Sequence, residues 1–389
     1  MRPLLFACAA LLALAACGDA DAPAPPQAPS SSTSLPDADG GRVALPDSVV
    51  RRLVAHDPLW AEALRVHYDA VVVDAHVDTP MHLVDAGYDL GRRHAPRPDR
   101  AHLDGPRLRE GGLDAPFFSV YVARSYGEDS AAVGRARALL AEARRQVAAL
   151  PAAESARTAD DVLRIARAGR TAVLYGLEGG HALAASPSVL RGLAADGLRY
   201  VTLTHSNTNA WADSATDTPR HGGLNGLGRE LVAEMNRLGV LVDLSHASDS
   251  TFFDALAASR APPILSHSSC RAVHAHVRNA SDAMLRALAD AGGVVFVNAY
   301  ADYLGGAADL GAYLDHVEHA LRVAGPDHVG LGSDFDGVPR LPVGLEDVTQ
   351  LPHVTYGLLR RGHSEATVRG VLGGNALRVL REAEAVAGG

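Results

Sequence analysis

Side chains able to hold a divalent metal recur in this sequence at the ends of short apolar segments. His76 and Asp78 stand in Asp74-Ala75-His76-Val77-Asp78, directly after Val71-Val72-Val73. Glu178 stands in Gly176-Leu177-Glu178-Gly179-Gly180-His181. His246 and His267 belong to one repeated local pattern, Asp243-Leu244-Ser245-His246 and Leu265-Ser266-His267-Ser268. Imidazole nitrogen combined with carboxylate oxygen suits zinc or manganese better than calcium. In an extended chain His76 and Asp78 point to one side, as two ligands of one ion must. No lysine occurs, all 36 basic residues being arginine. Neither a Schiff base nor a carbamylated lysine can therefore form, and any bridge between two metals has to be a carboxylate. Glu178 could cap a following helix. Set among glycines that let backbone and metal approach closely, it reads better as that bridge.

Other residues suit the remaining chemistry. His205 follows Tyr200-Val201-Thr202-Leu203. Asp334, in Gly332-Ser333-Asp334-Phe335-Asp336-Gly337, is the better general base of its pair, and Asp336 is read as orienting the loop, although the two could simply form a turn. Arg278 lies in a loop, where arginine is usually solvated, but its guanidinium could grip a substrate carboxylate with two hydrogen bonds. A second His-x-Asp, His102-Leu103-Asp104, lies in a Gly/Pro/Arg-rich stretch and is read as a surface loop. His274 and His276 are read as non-ligands in a polar loop. Cys270 is not read as a nucleophile, because nothing around it marks a lowered pKa.

These residues need a frame that brings them together. Apolar runs at 70–73, 117–122, 172–177, 200–203, 240–244, 263–265, 293–297 and 329–332 alternate with helical stretches such as 131–150, 227–238, 249–259, 282–291 and 310–323. Eight strands alternating with helices predict an α/β fold, a (β/α)8 TIM-type barrel, with a doubly wound sheet as the runner-up. Active sites of such barrels lie at the strand C-terminal ends. The candidate residues follow those ends in strand after strand, with Asn298 and Tyr300 after the seventh.

Of 389 residues, 47% are hydrophobic, enough for one large core, read as a single catalytic domain over 45–389. The net charge of −9 without a basic run argues against nucleic acid as a partner. Arg2 and the apolar run 4–16 form a signal peptide too short for a span of ~20 residues. Leu14-Ala15-Ala16-Cys17 resembles a lipoprotein cleavage box, with Cys17 lipidated after cleavage at 1–17. The Ala/Pro/Ser-rich stretch 18–44 reads as a flexible tether. The mature protein is then expected on the periplasmic or cell-surface side of a membrane. With Cys17 capped, Cys270 remains alone and no disulfide framework is expected.

Taken in order, these motifs resemble the membrane (renal) dipeptidase family. Leu203-Thr204-His205-Ser206-Asn207, Trp211-Ala212-Asp213, Arg278-Asn279 and Gly374-Asn375-Ala376-Leu377-Arg378-Val379-Leu380 extend the match from about residue 70 to the C-terminus. The resemblance implies a zinc-dependent dipeptidase with two Zn2+ per chain. His76, Asp78 and Glu178 would hold one zinc, and Glu178, His246 and His267 the second. His205 and Arg278 would contact substrate, Asp334 would handle the proton, and Tyr300 is a further substrate-contact candidate. The expected chemistry is attack by a metal-bridging hydroxide, with protonated His205 stabilising the oxyanion and Glu178 bridging. Expected partners are dipeptides, a membrane through the lipid anchor, and a second copy of the chain as a possible homodimer. Two other readings compete. A barrel metallohydrolase could act on another amide, a lactone, a β-lactam or a phosphoester, and a substrate panel separates it. A lipid-anchored binding protein without catalysis would hold metal yet turn over no dipeptide.

Overall fold

Parallel strands buried on both faces demand continuous apolar runs, and the runs in this sequence form such strands. The computed structural model describes residues 45–94 and 101–388; the signal segment 1–17, Cys17 and the tether 18–44 lie outside them. Among the described residues the strands are β1 (Val73–Val77), β2 (Ala115–Tyr121), β3 (Ala153–Ser155), β4 (Thr171–Glu178), β5 (Leu198–Thr202), β6 (Leu241–Asp243), β7 (Ile264–Leu265), β8 (Val294–Asn298) and β9 (Val329–Gly332). Their order is β2-β1-β9-β8-β7-β6-β5-β4, and pairing of β2 with β4 closes the ring. The neighbours run parallel throughout, for example Phe117 opposite Leu174 and Val295 opposite Val329. The protein is a (β/α)8 barrel with helices outside. β3 is an addition the sequence did not signal. It pairs only with β4, outside the ring, and its three residues are too few for a visible apolar run.

Helix starts coincide with side-chain caps. Asp129, Thr158, Asn225, Ser248, Ser281 and Asp309 each accept a hydrogen bond from a first-turn backbone N–H. Such caps contribute about 1 kcal/mol each and fix where a helix begins. The predicted stretches 131–150, 227–238, 249–259, 282–291 and 310–323 accordingly match Ser130–Ala149, Gly226–Leu238, Asp249–Ala258, Asp282–Asp290 and Leu310–Ala324 within a residue.

The first strand departs from expectation. It begins where the apolar run 70–73 ends, so Asp74 and His76 lie within it rather than after it. Polar residues are tolerated there because Asp74 Oδ1 accepts the His76 and Ser333 backbone N–H groups at 3.1 and 2.9 Å. The β1–β2 register also shifts between Asp74 and Val77, a bulge of the kind that re-aims side chains beside active sites. His102 and Asp104 correct a second expectation, being buried at 7% and 0% exposure rather than lying on a surface loop. His102 Nδ1 accepts the Asp336 N–H at 2.8 Å, and Asp104 caps the helix Gly105–Glu110 and pairs with Arg107 at 2.7 Å. Polar side chains bury when they find such partners, and composition alone does not reveal the partners.

Val73, Phe117, Leu174, Tyr200, Val294 and Phe296 form one cluster with Leu377, Val379 and Leu380 of the helix Asn375–Gly388. Asn375 Nδ2 donates to the carbonyls of Pro326 and Val329 at 2.8 Å, which seats that helix at the strand N-termini. The opposite end is left for the site.

Gly176 on β4 faces the Tyr200 ring, and a Cβ there would lie 1.9 Å from Tyr200 Cζ. Gly134, in the helix Ser130–Ala149, has no such neighbour within 4 Å. Gly176→Ala is therefore expected to destabilise the fold by ~1–3 kcal/mol through overpacking. Gly134→Ala should stabilise it by ~0.5–1 kcal/mol through helix propensity. Denaturant unfolding of the two variants checks both signs.

Candidate metal centre

Side chains from four other strands converge on one carboxylate at the end of β4. Glu178, the last residue of β4, is 3% exposed. Its Oε2 lies 3.5 Å from His76 Nε2, on β1. Its Oε1 lies 3.1 Å from His246 Nε2, 3.5 Å from His267 Nε2 and 3.8 Å from His205 Nε2, just beyond β6, β7 and β5. Asp78, at the start of the helix Thr79–Asp85, brings Oδ2 to 3.3 Å from His76 Nε2. Asp334 follows β9, and its Oδ2 accepts from Asn298 Nδ2 at 2.9 Å.

Neighbouring groups set the imidazole orientations. The Tyr200 hydroxyl lies 2.9 Å from His76 Nδ1, and Ser266 Oγ lies 2.8 Å from His267 Nδ1. Both rings thus turn Nε2 toward Glu178, and a partner on one ring nitrogen fixes the role of the other. Asp243 holds the layer beneath. It accepts from Thr202 Oγ1 at 2.5 Å, from Ser266 Oγ at 2.6 Å, and from the Ser245 and Ser266 N–H groups at 3.1 and 2.8 Å. Sequence reasoning assigned neither Tyr200 nor Asp243 a role. An acidic residue inside an apolar run was the available signal for Asp243; Tyr200 carried none.

The backbone is strained where the chemistry sits. His246, Asp334 and Asp336 adopt left-handed φ values of 64°, 65° and 67°. Such conformations are uncommon for non-glycine residues and persist when surrounding structure over-determines them. Here Asp334 N donates to His76 O at 3.1 Å, and Asp336 Oδ2 accepts from Thr79 Oγ1 at 2.6 Å. The loop that follows must also be small. A Cβ at Gly337 would lie 2.1 Å from Asp78 Oδ2 and 2.5 Å from Asp334 Oδ1.

Charge is unevenly shared within the cluster. Burial would lift Glu178, but the His76 and His205 imidazoles and the His246 hydrogen bond hold it well below the usual carboxylate range. Burial opposes a cationic His76, yet Asp78 and Glu178 together hold its pKa well above the ordinary value. Burial pushes His246 and His267 well below theirs, leaving neutral nitrogens. Burial pushes Asp334 up to about 7, with Asp78 and Glu178 adding to the rise against the pull of His76. His205 is also lowered, first by burial. This direction works against the protonated form expected from the sequence.

The donor set fits divalent cations. Three compact groups of possible ligand atoms occur among the described residues: His76, Glu178 and His267; Glu178, His205 and His246; and His76, Asp78 and Asp334. This grouping differs from the division implied by the family resemblance, and His267 in particular lies as close to His76 as to His246, with ring centroids 3.8 and 4.9 Å away. His76 Nε2 and Asp78 Oδ1 are buried without a hydrogen-bond partner. His246 and His267 point Nε2 at Nε2, 2.9 Å apart. Ligand bonds of ~2.0–2.1 Å in a tetrahedron separate donor atoms by about 3.3 Å, the spacing these side chains approach.

A cavity of about 260 Å3 opens over the cluster, walled by Met81, Tyr121, Tyr300, Tyr303, Val338 and Pro339. Tyr300, a substrate-contact candidate from the sequence, lies on this wall together with Tyr121 and Tyr303, which were not anticipated. Arg278 is buried just behind this wall, its guanidinium 5.7 Å from the Tyr303 ring centre and Nη2 donating to His267 O at 3.3 Å. The His276 ring lies tilted against Tyr303, centroids 4.5 Å apart, and neither it nor His274 joins a ligand group among the described residues. The Cys270 thiol is buried and pushed up to about 12, chiefly by burial.

Known proteins resemble this chain in sequence and fold. The family model described as membrane dipeptidase (peptidase family M19) matches residues 60–389. Dipeptidase tcpJ of Claviceps purpurea is 42% identical over 330 residues, covering 81% of this chain and 77% of that protein. Among solved structures, the dipeptidase AC, a metallopeptidase of family M19, aligns with a TM-score of 0.74 at 28% identity, over 81% of this chain and 98% of its own. A metallopeptidase of Rhodobacter sphaeroides, liganded with a phosphinate mimic of the dipeptide L-Ala-D-Ala, aligns with a TM-score of 0.72 at 27% identity, over 80% and 99%. The chain belongs to the membrane dipeptidase family, peptidase family M19, and is a peptide-bond hydrolase built on a (β/α)8 barrel.

Proposed function

We propose that this dipeptidase works with two zinc ions, His76, Asp78 and Glu178 holding one, and Glu178, His246 and His267 the other. The observation that carries the reading is the division of the Glu178 carboxylate, with Oε2 toward His76 and Oε1 toward His246 and His267. Cations there supply the polarisation of a carbonyl oxygen and the lowered pKa of an attacking water. Asp334, with Oδ2 occupied by Asn298 and a pKa near neutrality, takes a proton and returns it to the departing amine. His205 brings Nε2 beside the cluster, where an oxyanion develops.

Substrate length follows from the walls. The cavity volume lies just below the ~300 Å3 at which ligand pockets usually begin, which suits a very short peptide. Arg278 is buried, and among the described residues no carboxylate lies within ion-pair distance of it, so its charge is available to a substrate C-terminal carboxylate. The Rhodobacter sphaeroides relative holds a dipeptide mimic, which supports the same substrate class here. Cys17, after Leu14-Ala15-Ala16, would carry the lipid that anchors the enzyme on the outer side of a membrane.

Metal analysis together with amino-acid release from an L,L and L,D dipeptide panel tests the central claim. About two metals per chain and chelator-sensitive cleavage restored by zinc are expected; one metal, or metal without cleavage, contradicts it. Arg278→Ala should raise KM about tenfold or more, the value of a charge-assisted hydrogen bond, with kcat little changed. A fall in kcat alone would remove its carboxylate role. Asp334→Asn should lower kcat by about 10²–10⁴ with metal content intact. Loss of metal would instead make it a ligand. Cys17→Ala should release the protein from the membrane fraction, and continued retention would refute the anchor.

A further inference from the structure

A chain of hydrogen bonds leads from the proton-handling carboxylate to the mouth of the cavity. Asn298 donates Nδ2 to Asp334 Oδ2 at 2.9 Å and accepts the Tyr300 N–H on Oδ1. The Tyr300 hydroxyl donates to Asp302 Oδ2 at 2.6 Å. Asp302 Oδ1 takes a hydrogen bond from Arg340 Nη2, and the Ala301 N–H donates to the Arg340 carbonyl at 3.1 Å. Tyr300 and Tyr303 form the part of the cavity wall that follows β8, whereas Gly337, Val338 and Pro339 form the part that follows β9. Asp302 joins the two segments at the cavity mouth, as Asn298 does beneath it.

We propose that Asp302 is a positioning residue for substrate binding, holding the Tyr300 phenol at the cavity wall and clasping the segment after β8 to the segment after β9 through Arg340. The inference rests on the reading that this cavity takes the dipeptide. Tyr300 is only half-buried, and apart from Asp302 its ring has the edge contact with Tyr303 at 4.7 Å to orient it. Removing the carboxylate frees the phenol and takes away the side-chain clasp on Arg340, leaving the Ala301–Arg340 backbone bond. Asp302 and Arg340 have side-chain exposures of 48% and 64%, and an ion pair so exposed adds little to folding stability. Its effect is therefore expected in binding rather than in the stability of the barrel.

Four variants of the zinc-loaded enzyme decide the matter: Asp302→Ala, Asp302→Asn, Tyr300→Phe and the double Asp302→Ala/Tyr300→Phe. Readouts are KM and kcat on alanyl-alanine, calorimetric Kd for a phosphinate dipeptide mimic, metal content and melting temperature. Asp302→Ala should raise KM and Kd about three- to tenfold, the range for one hydrogen bond, with kcat within about twofold. Metal content and melting temperature should not move. Asp302→Asn keeps an acceptor for the phenol and should recover part of the loss. The double variant should be no worse than the poorer single, because both substitutions break one contact. Additive losses, an unchanged KM in Asp302→Ala, or a fall in kcat with loss of metal would each overturn the proposal. An unmutated enzyme inactive on every dipeptide would overturn the proposed function and this inference with it; an active one with indifferent variants overturns the inference alone.

Discussion

Burying a carboxylate among imidazoles is the constraint on which the rest of this structure depends. Glu178 is all but withdrawn from water, and an isolated carboxylate so placed would cost several kcal/mol. It is tolerable because His76, His205, His246 and His267 arrive around it from four other strands. None of those strands is adjacent in sequence to β4 except β5, so the cluster exists only once the ring has closed through β2 and β4. The N-terminal end of the ring is covered by the helix Asn375–Gly388.

The same constraint explains where the chain accepts strain. Left-handed backbone at His246, Asp334 and Asp336 costs on the order of 1–3 kcal/mol per residue, and all three face the cluster or brace its loop. Rigid support lies beneath them. Tyr200 and Ser266 fix two imidazoles from behind, and Asp243 ties β5, β6 and the segment after β7 into one layer. The Gly176 hydrogen is what lets the Tyr200 ring reach His76 at all. Asp336 acts on a different side, joining the start of the helix Thr79–Asp85 and residue 102 to the loop that carries Asp334. The donors are thereby aimed before any ligand arrives, as electrostatic catalysis requires.

The cavity over the cluster is bounded chiefly by aromatic side chains. Aromatic faces from Tyr121, Tyr300 and Tyr303 limit the cavity, while Arg278 stands behind Tyr303 as a buried cation. Lysine is absent from the chain, so arginine supplies every fixed positive charge, and its planar fork suits carboxylate recognition.

What the sequence determined by itself was the alternation of strand and helix, the helix starts, and the identity of the side chains gathered at the strand ends. Those properties are local. A buried parallel strand needs an unbroken apolar run, a helix start needs a cap, and a metal ligand has to be one of a few residue types. Tertiary structure alone decided which donors share which oxygen of Glu178, that burial lowers the His205 pKa, and that Tyr200 and Asp243 support the side chains around it from behind. It also placed β1 three residues later than its apolar run and buried His102 and Asp104. These are properties of distance and of dielectric environment between residues remote in sequence. They arise when the barrel closes and water leaves, and no spacing along the chain encodes them in readable form.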